Sequence, residues 1–210
     1  YRIGDTYSML VFDIKPDEFE YAFSFDGPYE PAKGLLFNEE NVLLDPYSRA
    51  VTGQRKWGEK PEGGKDFEYR ARVVKSSFDW GNIKQLEQPF EDLVIYETHV
   101  RGYTKDKSSG VSAPGTFAGL KDKIPYLKDL GINAVELMPI FEFDEMESAR
   151  VVDGVQLYNY WGYNTVSFFA PNTSYAFNEE HNHEGDELKS LIKALKENGI
   201  EVILDVVFNH

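Results

Sequence analysis

From Asp92 onward the chain alternates short, largely apolar runs with amphipathic stretches, and this constrains the fold more than any other feature. Such runs read as strands buried on both faces, as a parallel sheet requires. Parallel neighbours need crossovers of about a dozen residues or more, and the amphipathic stretches supply them. Three runs are present: Leu93-Val94-Ile95-Tyr96, then Ile132-Asn133-Ala134-Val135-Glu136-Leu137-Met138-Pro139, then Ile200-Glu201-Val202-Ile203-Leu204-Asp205-Val206-Val207. The pattern predicts β/α units and an α/β fold.

Between the first two runs, Phe117, Leu120, Ile124, Leu127 and Leu130 recur at spacings of three and four, which predicts a helix over Thr116 to Leu130 ending at Gly131. Pro125 interrupts it. Either the helix proper begins near Ile124, where proline suits a first turn, or it kinks there. Between the second and third runs, Asp186 is the expected cap of a helix carrying Leu188, Leu191, Ile192 and Leu195, with Lys193 and Lys196 toward its negative end and Gly199 as its stop. The residues between Pro139 and this helix read as one long loop.

The first fifty residues are of another kind. Tyr21-Ala22-Phe23-Ser24-Phe25 alternates with period two, and Asp26-Gly27-Pro28 and Pro31-Ala32-Lys33-Gly34 are turn signals. Residues 1–52 therefore read as the end of an antiparallel sandwich. Residues 53–91 are more polar and lack a sustained period, with Glu62-Gly63-Gly64-Lys65 and Phe78-Asp79-Trp80-Gly81 as turns, and read as a connecting segment wrapping the surface. Residues 92–210 hold the β/α units. The chain starts without Met inside strand-like sequence and stops at His210, so both ends read as cuts.

Composition excludes some partners. Twenty-two Lys and Arg against 36 Asp and Glu leave a net charge of −14, which repels phosphate backbones and anionic membranes. A neutral ligand held by hydrogen bonds and ring stacking remains open. There is no cysteine, hence no disulfide or thiolate metal site, which fits a reducing compartment and makes the cytoplasm the expected location. No apolar run approaches the ~18 residues of a membrane span, and no charged-then-apolar leader begins at Tyr1.

Asp205 carries the most chemical information, because it interrupts an apolar strand where an unpaired carboxylate is costly. Taken alone, it reads equally well as a strand-end Asp satisfied by backbone amides or solvent. Asn209 and His210 follow it toward the strand's C-terminal end, where barrel active sites form, so three polar groups are expected to converge at one rim. His181-Asn182-His183-Glu184 has histidines two apart in a loop before a helix, a pattern of solvated polar residues, and no metal is predicted there. Tyr163 and Trp161, from composition alone, read as core.

Asp205-Val206-Val207-Phe208-Asn209-His210 resembles the first signature region of the α-amylase superfamily. The order of further segments is similar to that of isoamylase-type debranching enzymes: Tyr96-Glu97-Thr98-His99-Val100-Arg101-Gly102-Tyr103-Thr104, Pro114-Gly115-Thr116-Phe117, Val135-Glu136-Leu137-Met138-Pro139 with Phe141-Glu142-Phe143, and Asn159-Tyr160-Trp161-Gly162-Tyr163-Asn164. Asp26-Gly27-Pro28-Tyr29 and Leu44-Asp45-Pro46-Tyr47 resemble the starch-binding-like sandwich that precedes their barrels.

The resemblance implies the first three β units of a TIM (β/α)8 barrel behind the end of an all-β starch-binding-like sandwich. It implies that His210 contacts the glucose at the cleavage subsite, that Asp205 pairs with an arginine near the nucleophile, and that Tyr163 stacks on the same sugar. A pyranose has an apolar face suited to an aromatic ring and hydroxyls that need fixed partners. Trp161 and Asn209 join them as candidate substrate-binding residues, although Asn209's counterpart holds calcium in many amylases. No catalytic residue is expected within the chain, since the nucleophile and general acid of such retaining enzymes come from later strands. Glu97 and Glu136 match no catalytic position and read as structurally paired. The implied partner is a branched α-glucan, with no cofactor, and the chain alone is expected to be inactive and unstable, with Asp205 lacking its arginine.

Overall fold

The computed structural model describes residues 2–59, 69–75, 77–178, 180 and 182–209. Glu62-Gly63-Gly64-Lys65, His181 and His210 therefore lie outside the described residues.

The N-terminal part is built from very short strands. β1 (Arg2–Ile3) pairs with β2 (Thr6–Tyr7), and β4 (Tyr29–Glu30) pairs with β5 (Leu35–Leu36) across the turn that Gly34 closes at φ +76°. β3 (Glu20–Tyr21) pairs with β6 (Ala71–Arg72), a strand from the stretch whose sequence shows no period. The alternation around Tyr21 becomes a row of rings: Phe19, Tyr21, Phe23 and Phe25 follow one another at centroid separations of 6.3, 5.8 and 6.0 Å. Among the described residues, strand pairing along it is confined to Glu20–Tyr21 and a bridge from Phe23 to Leu43.

Residues 53–58 do not wrap the surface as expected. Gly53 and Gln54 are buried. A Cβ on Gly53 would come within 2.1 Å of the Thr173 hydroxyl and 2.6 Å of a Glu142 carboxylate oxygen, so only glycine fits. Trp57 stacks on Tyr175 at 6.2 Å and 10°, with the Arg101 guanidinium 4.5 Å from its centroid. Arg72, with a side chain only 1% exposed, bonds to Glu20 (2.7 Å), the Asp17 carbonyl (2.7 Å) and Asn182 Oδ1 (3.2 Å), tying this stretch to both its neighbours.

The three apolar runs form the parallel sheet. β7 (Ile95–Thr98), β8 (Ala134–Leu137) and β13 (Glu201–Leu204) lie in the order β13-β8-β7, with Ile95, Ala134 and Glu201 in register. β8 and β13 are shorter than their apolar runs, and β7 is as long as its run but lies two residues further along the chain. Helix α1 (Val100–Thr104) follows β7 directly, and the predicted helix over 116–130 is two helices, α2 (Phe117–Lys121) and α3 (Ile124–Asp129). Pro125 sits in the first turn of α3, the first of the two readings of that proline, and the Thr116 side chain caps α2 by accepting from the Gly119 amide.

α4 (Glu184–Glu197) starts two residues before its expected cap, so Asp186 lies within its first turn, where its charge favours the helix dipole. Gly199 ends it at φ +76°: the Gly199 amide donates to Lys196 O and the Ile200 amide to Leu195 O, both at 3.0 Å, a Schellman closure with Ile200 buried beside Leu195.

The supposed long loop holds four strands. β9 (Phe141–Phe143) pairs with β12 (Thr165–Pro171), and β10 (Arg150–Val152) pairs with β11 (Val155–Leu157). Asp153 and Gly154, at φ +49° and +78°, turn the second hairpin, an Asp-Gly signal legible in the sequence. The core gathers Phe117, Leu120, Leu127, Leu137, Leu191 and Leu195 between the helices and one face of the sheet. The other face is open among the described residues, contrary to strands buried on both sides: Ile95 is 42% exposed and all of β13 is half-buried.

Candidate functional site

Parallel register places Thr98, Leu137 and Leu204 level at the carboxyl ends of β7, β8 and β13. The ladder continues one step, with the Met138 amide donating to Thr98 O (3.0 Å) and the Asp205 amide to Leu137 O (2.9 Å). Asp205 is thus held by backbone at the rim. Side chains alternate across the sheet. Tyr96, Val135, Leu137, Val202 and Leu204 pack with the core, which leaves Glu97, Glu136 and Asp205 on the open face.

The structure brings Tyr163 to Asp205. Its hydroxyl donates to Asp205 Oδ2 at 2.6 Å, a short charge-assisted bond. That bond first, then burial and the negative field of Asp205, Glu97 and Glu136, pushes the phenol up to about 12. The carboxylate expected to stand without a partner therefore has one, and it is half-buried because the open face admits water. Glu97 and Glu136 were expected to be paired. Instead they are register neighbours of like charge, and neither forms a salt bridge among the described residues.

Trp161 is 53% exposed and meets Tyr160 edge-on at 5.1 Å. Between Trp161 and Tyr163 the chain requires glycine: Gly162 has φ +80°, and a Cβ there would lie 2.6 Å from the Phe143 ring. Tyr160 lies flat on His99 at 4.1 Å and 10°. His99 is a positioning residue that sequence reasoning missed, since its partners are distant in sequence. Its Nε2 donates to Tyr160 O (2.8 Å) and faces the Tyr175 hydroxyl (3.2 Å), while Nδ1 accepts from the Gly102 amide (3.1 Å). Burial lowers its pKa, in keeping with a neutral ring that accepts at Nδ1.

Asn209 is exposed and makes no hydrogen bond among the described residues, because regular pairing ends at Leu204 and the chain runs free of the sheet beyond Asp205. The rim thus joins Asp205 to Tyr163 rather than to Asn209. Asn182 and Glu184 are not the solvated residues expected. Asn182 bridges Arg72 and the Val73 carbonyl, and Glu184 is 4% exposed. No group of three or more His, Asp or Glu side chains among the described residues is arranged to hold a metal ion.

Two buried acids also escaped the sequence. Glu142 is fully buried, accepts from the Thr173 amide (2.8 Å), and is pushed up to about 8 by burial, which that amide opposes and the field of Glu145 reinforces. Glu145 accepts from the Gly58 amide (3.3 Å) and is pushed up to about 7, again by burial. Both have no exposed surface, so they hold residues 53–58 in place and present nothing to a ligand.

A parallel βαβ sheet with polar groups gathered at the carboxyl ends of its strands defines an α/β domain of the class that binds ligands at that edge. The chain belongs to the α-amylase family, whose catalytic domain matches residues 73–210. Isoamylase 1, chloroplastic, of Arabidopsis thaliana is 41% identical over 198 residues, 90% of this chain and 25% of that protein. The glycogen debranching enzyme of Yersinia enterocolitica is 38% identical, covering 100% of this chain and 33% of that protein. Pullulanase type I of Bacillus subtilis, solved with maltose, superposes with a TM-score of 0.63 at 28% identity over 83% of this chain and 24% of that one. The chain spans about a quarter to a third of these relatives. No helix among the described residues is long and apolar enough to cross a membrane.

Proposed function

We propose that the protein carrying this chain hydrolyses α-1,6 branch linkages in glycogen, amylopectin or limit dextrin, by double displacement with retention. The observation that carries this reading is the Tyr163–Asp205 pair at the carboxyl rim of a chain 41% identical to an isoamylase. An aromatic face beside a fixed carboxylate acceptor matches a pyranose, and the charge of −14 suits a neutral polymer better than an anionic one.

In this reading residues 1–52 belong to a carbohydrate-binding sandwich, 53–91 connect, and 92–210 supply the first three β units of a (β/α)8 barrel. Tyr163, Asp205, His210, Asn209 and Trp161 bind substrate, and the catalytic pair comes from elsewhere in the protein. The chain by itself is then inactive. The absence of cysteine favours a reducing compartment, with the cytoplasm as our proposal.

Incubating the full-length protein with glycogen and β-limit dextrin tests the activity. Release of linear chains with a rise in reducing ends is expected; intact branches after exhaustive digestion would refute it. The likeness to pullulanases favours pullulan as the second substrate to assay.

A further inference from the structure

Three residues before Tyr163 closes on Asp205, Tyr160 sits in a seat built from other elements. One wall is His99, which follows β7 and caps α1; its ring lies on that of Tyr160 at 4.1 Å and 10°. The Gly102 amide donates to Nδ1, so the neutral ring carries its proton on Nε2, and that N–H donates to the Tyr160 carbonyl at 2.8 Å. A second wall is Trp57, which meets the Tyr160 ring edge-on at 6.1 Å and 77° and is itself stacked on the buried Tyr175.

The end of the seat is Gly102, in the middle of α1. A Cβ there would lie 2.0 Å from the Tyr160 hydroxyl oxygen and 3.4 Å from the ring carbon that bears it. Gly102 is exposed and lies in helical backbone, where alanine is the better helix former. Glycine is needed here because the Tyr160 hydroxyl takes the space of a side chain. The link from seat to rim has little slack. Three residues span at most about 10 Å. Within them Trp161 meets Tyr160 edge-on at 5.1 Å, and Gly162 is buried against the Phe143 ring. A displaced Tyr160 therefore pulls on Tyr163.

We propose that His99 and Gly102 are positioning residues for sugar binding: by seating Tyr160, rather than by touching the sugar, they hold the 160–163 segment so that the Tyr163 hydroxyl meets Asp205 with its ring at the rim. A binding surface held by packed and hydrogen-bonded supports loses affinity when the supports shift. The proposal rests on the reading that the rim binds sugar, and it makes α1 a determinant of affinity.

Maltotetraose binding to the full-length protein, followed by calorimetry with thermal melts of each variant, tests it. Gly102→Ala is expected to weaken binding at least fivefold. Adding Tyr160→Phe, which removes the struck oxygen and leaves the nearest ring atom at an ordinary 3.4 Å, should recover most of that loss. His99→Asn, which keeps an acceptor for Gly102 but cannot reach the Tyr160 carbonyl, should weaken binding about tenfold, and His99→Gln, whose amide can donate there, less than threefold. If His99→Asn does not fold, the exposed Gly102 pair decides alone. Folded Gly102→Ala and His99→Asn that bind like wild type, while Tyr163→Ala does not bind, overturn the seat and leave the rim as a sugar site. Equal losses in the two His99 variants with no recovery from Tyr160→Phe also overturn it. Unchanged binding in Tyr163→Ala, or a wild type that binds no maltotetraose, removes the sugar reading of the rim and the proposal with it. The expected pattern in a protein that cleaves no branches retains the seat and removes the debranching reading.

Discussion

Replacing Glu142 with Gln should change how stability depends on pH. A buried carboxyl moved from 4.5 to about 8 favours the protonated folded state by about 5 kcal/mol, at about 1.4 kcal/mol per pH unit. The sign follows from proton counts. Above about pH 4.5 the unfolded chain releases this proton while the folded chain keeps it, so stability is complete below that value and is lost as pH rises toward 8. Glu145, raised to about 7, acts in the same direction, and because the two repel each other their protons leave as a coupled pair. Between about pH 5.5 and 6 both stay largely protonated in the fold and ionise on unfolding, so together they contribute a loss of about 3 kcal/mol per pH unit. Glu142→Gln keeps an acceptor for the Thr173 amide and cannot ionise, so the slope should become shallower by about 1.4 kcal/mol per pH unit. Urea unfolding at half-unit steps of pH measures it directly. Exposed carboxylates contribute equally to both proteins and cancel in the difference. Parallel slopes for wild type and variant would refute the claim that Glu142 is held protonated.

Tyr163→Phe removes the hydroxyl from Asp205 and keeps the ring. We expect a loss of about 1 kcal/mol in urea unfolding, since water replaces the donor at this open rim, whereas Tyr163→Ala, which also removes the ring, should weaken maltotetraose binding at least tenfold. Gly162→Ala and Gly199→Ala both impose a left-handed backbone on a side chain, at about 1–2 kcal/mol. Only at Gly162 does the new Cβ also strike a ring, at 2.6 Å, so Gly162→Ala should be the more destabilising in thermal melts; equal effects would show that the Phe143 ring yields freely. Thr116→Ala removes the α2 cap and should lower stability by about 1 kcal/mol, with Thr116→Ser restoring it.

The parallel sheet was legible because parallel strands and their crossover helices must hide apolar surface with characteristic periods, and those periods are local. Pro125 and Gly199 announced themselves for the same reason, each through a constraint on its own φ. Asp205 stood out by its polarity within an apolar run, and the motif order identified the family's segments. The Asp153-Gly154 turn was equally readable and marks β10–β11, yet the strands around it are only three residues long and exposed at every position, so no apolar period drew attention to them. What tertiary structure alone decided is which distant groups meet. Tyr163 and Asp205 lie 42 positions apart, and only the register of three strands with the return of the chain past β9 brings them to 2.6 Å. Residues 53–58 carry no period because their role is to fit: Gly53 against Thr173 and Glu142, Trp57 between Tyr175 and Arg101. The raised pKa of Glu142 has no trace in its neighbours along the chain, since it comes from removal of water by elements folded around it. Sequence periodicity fixes which face of an element is apolar; the chemistry of a site depends on distances between elements, and those exist only once the elements have packed.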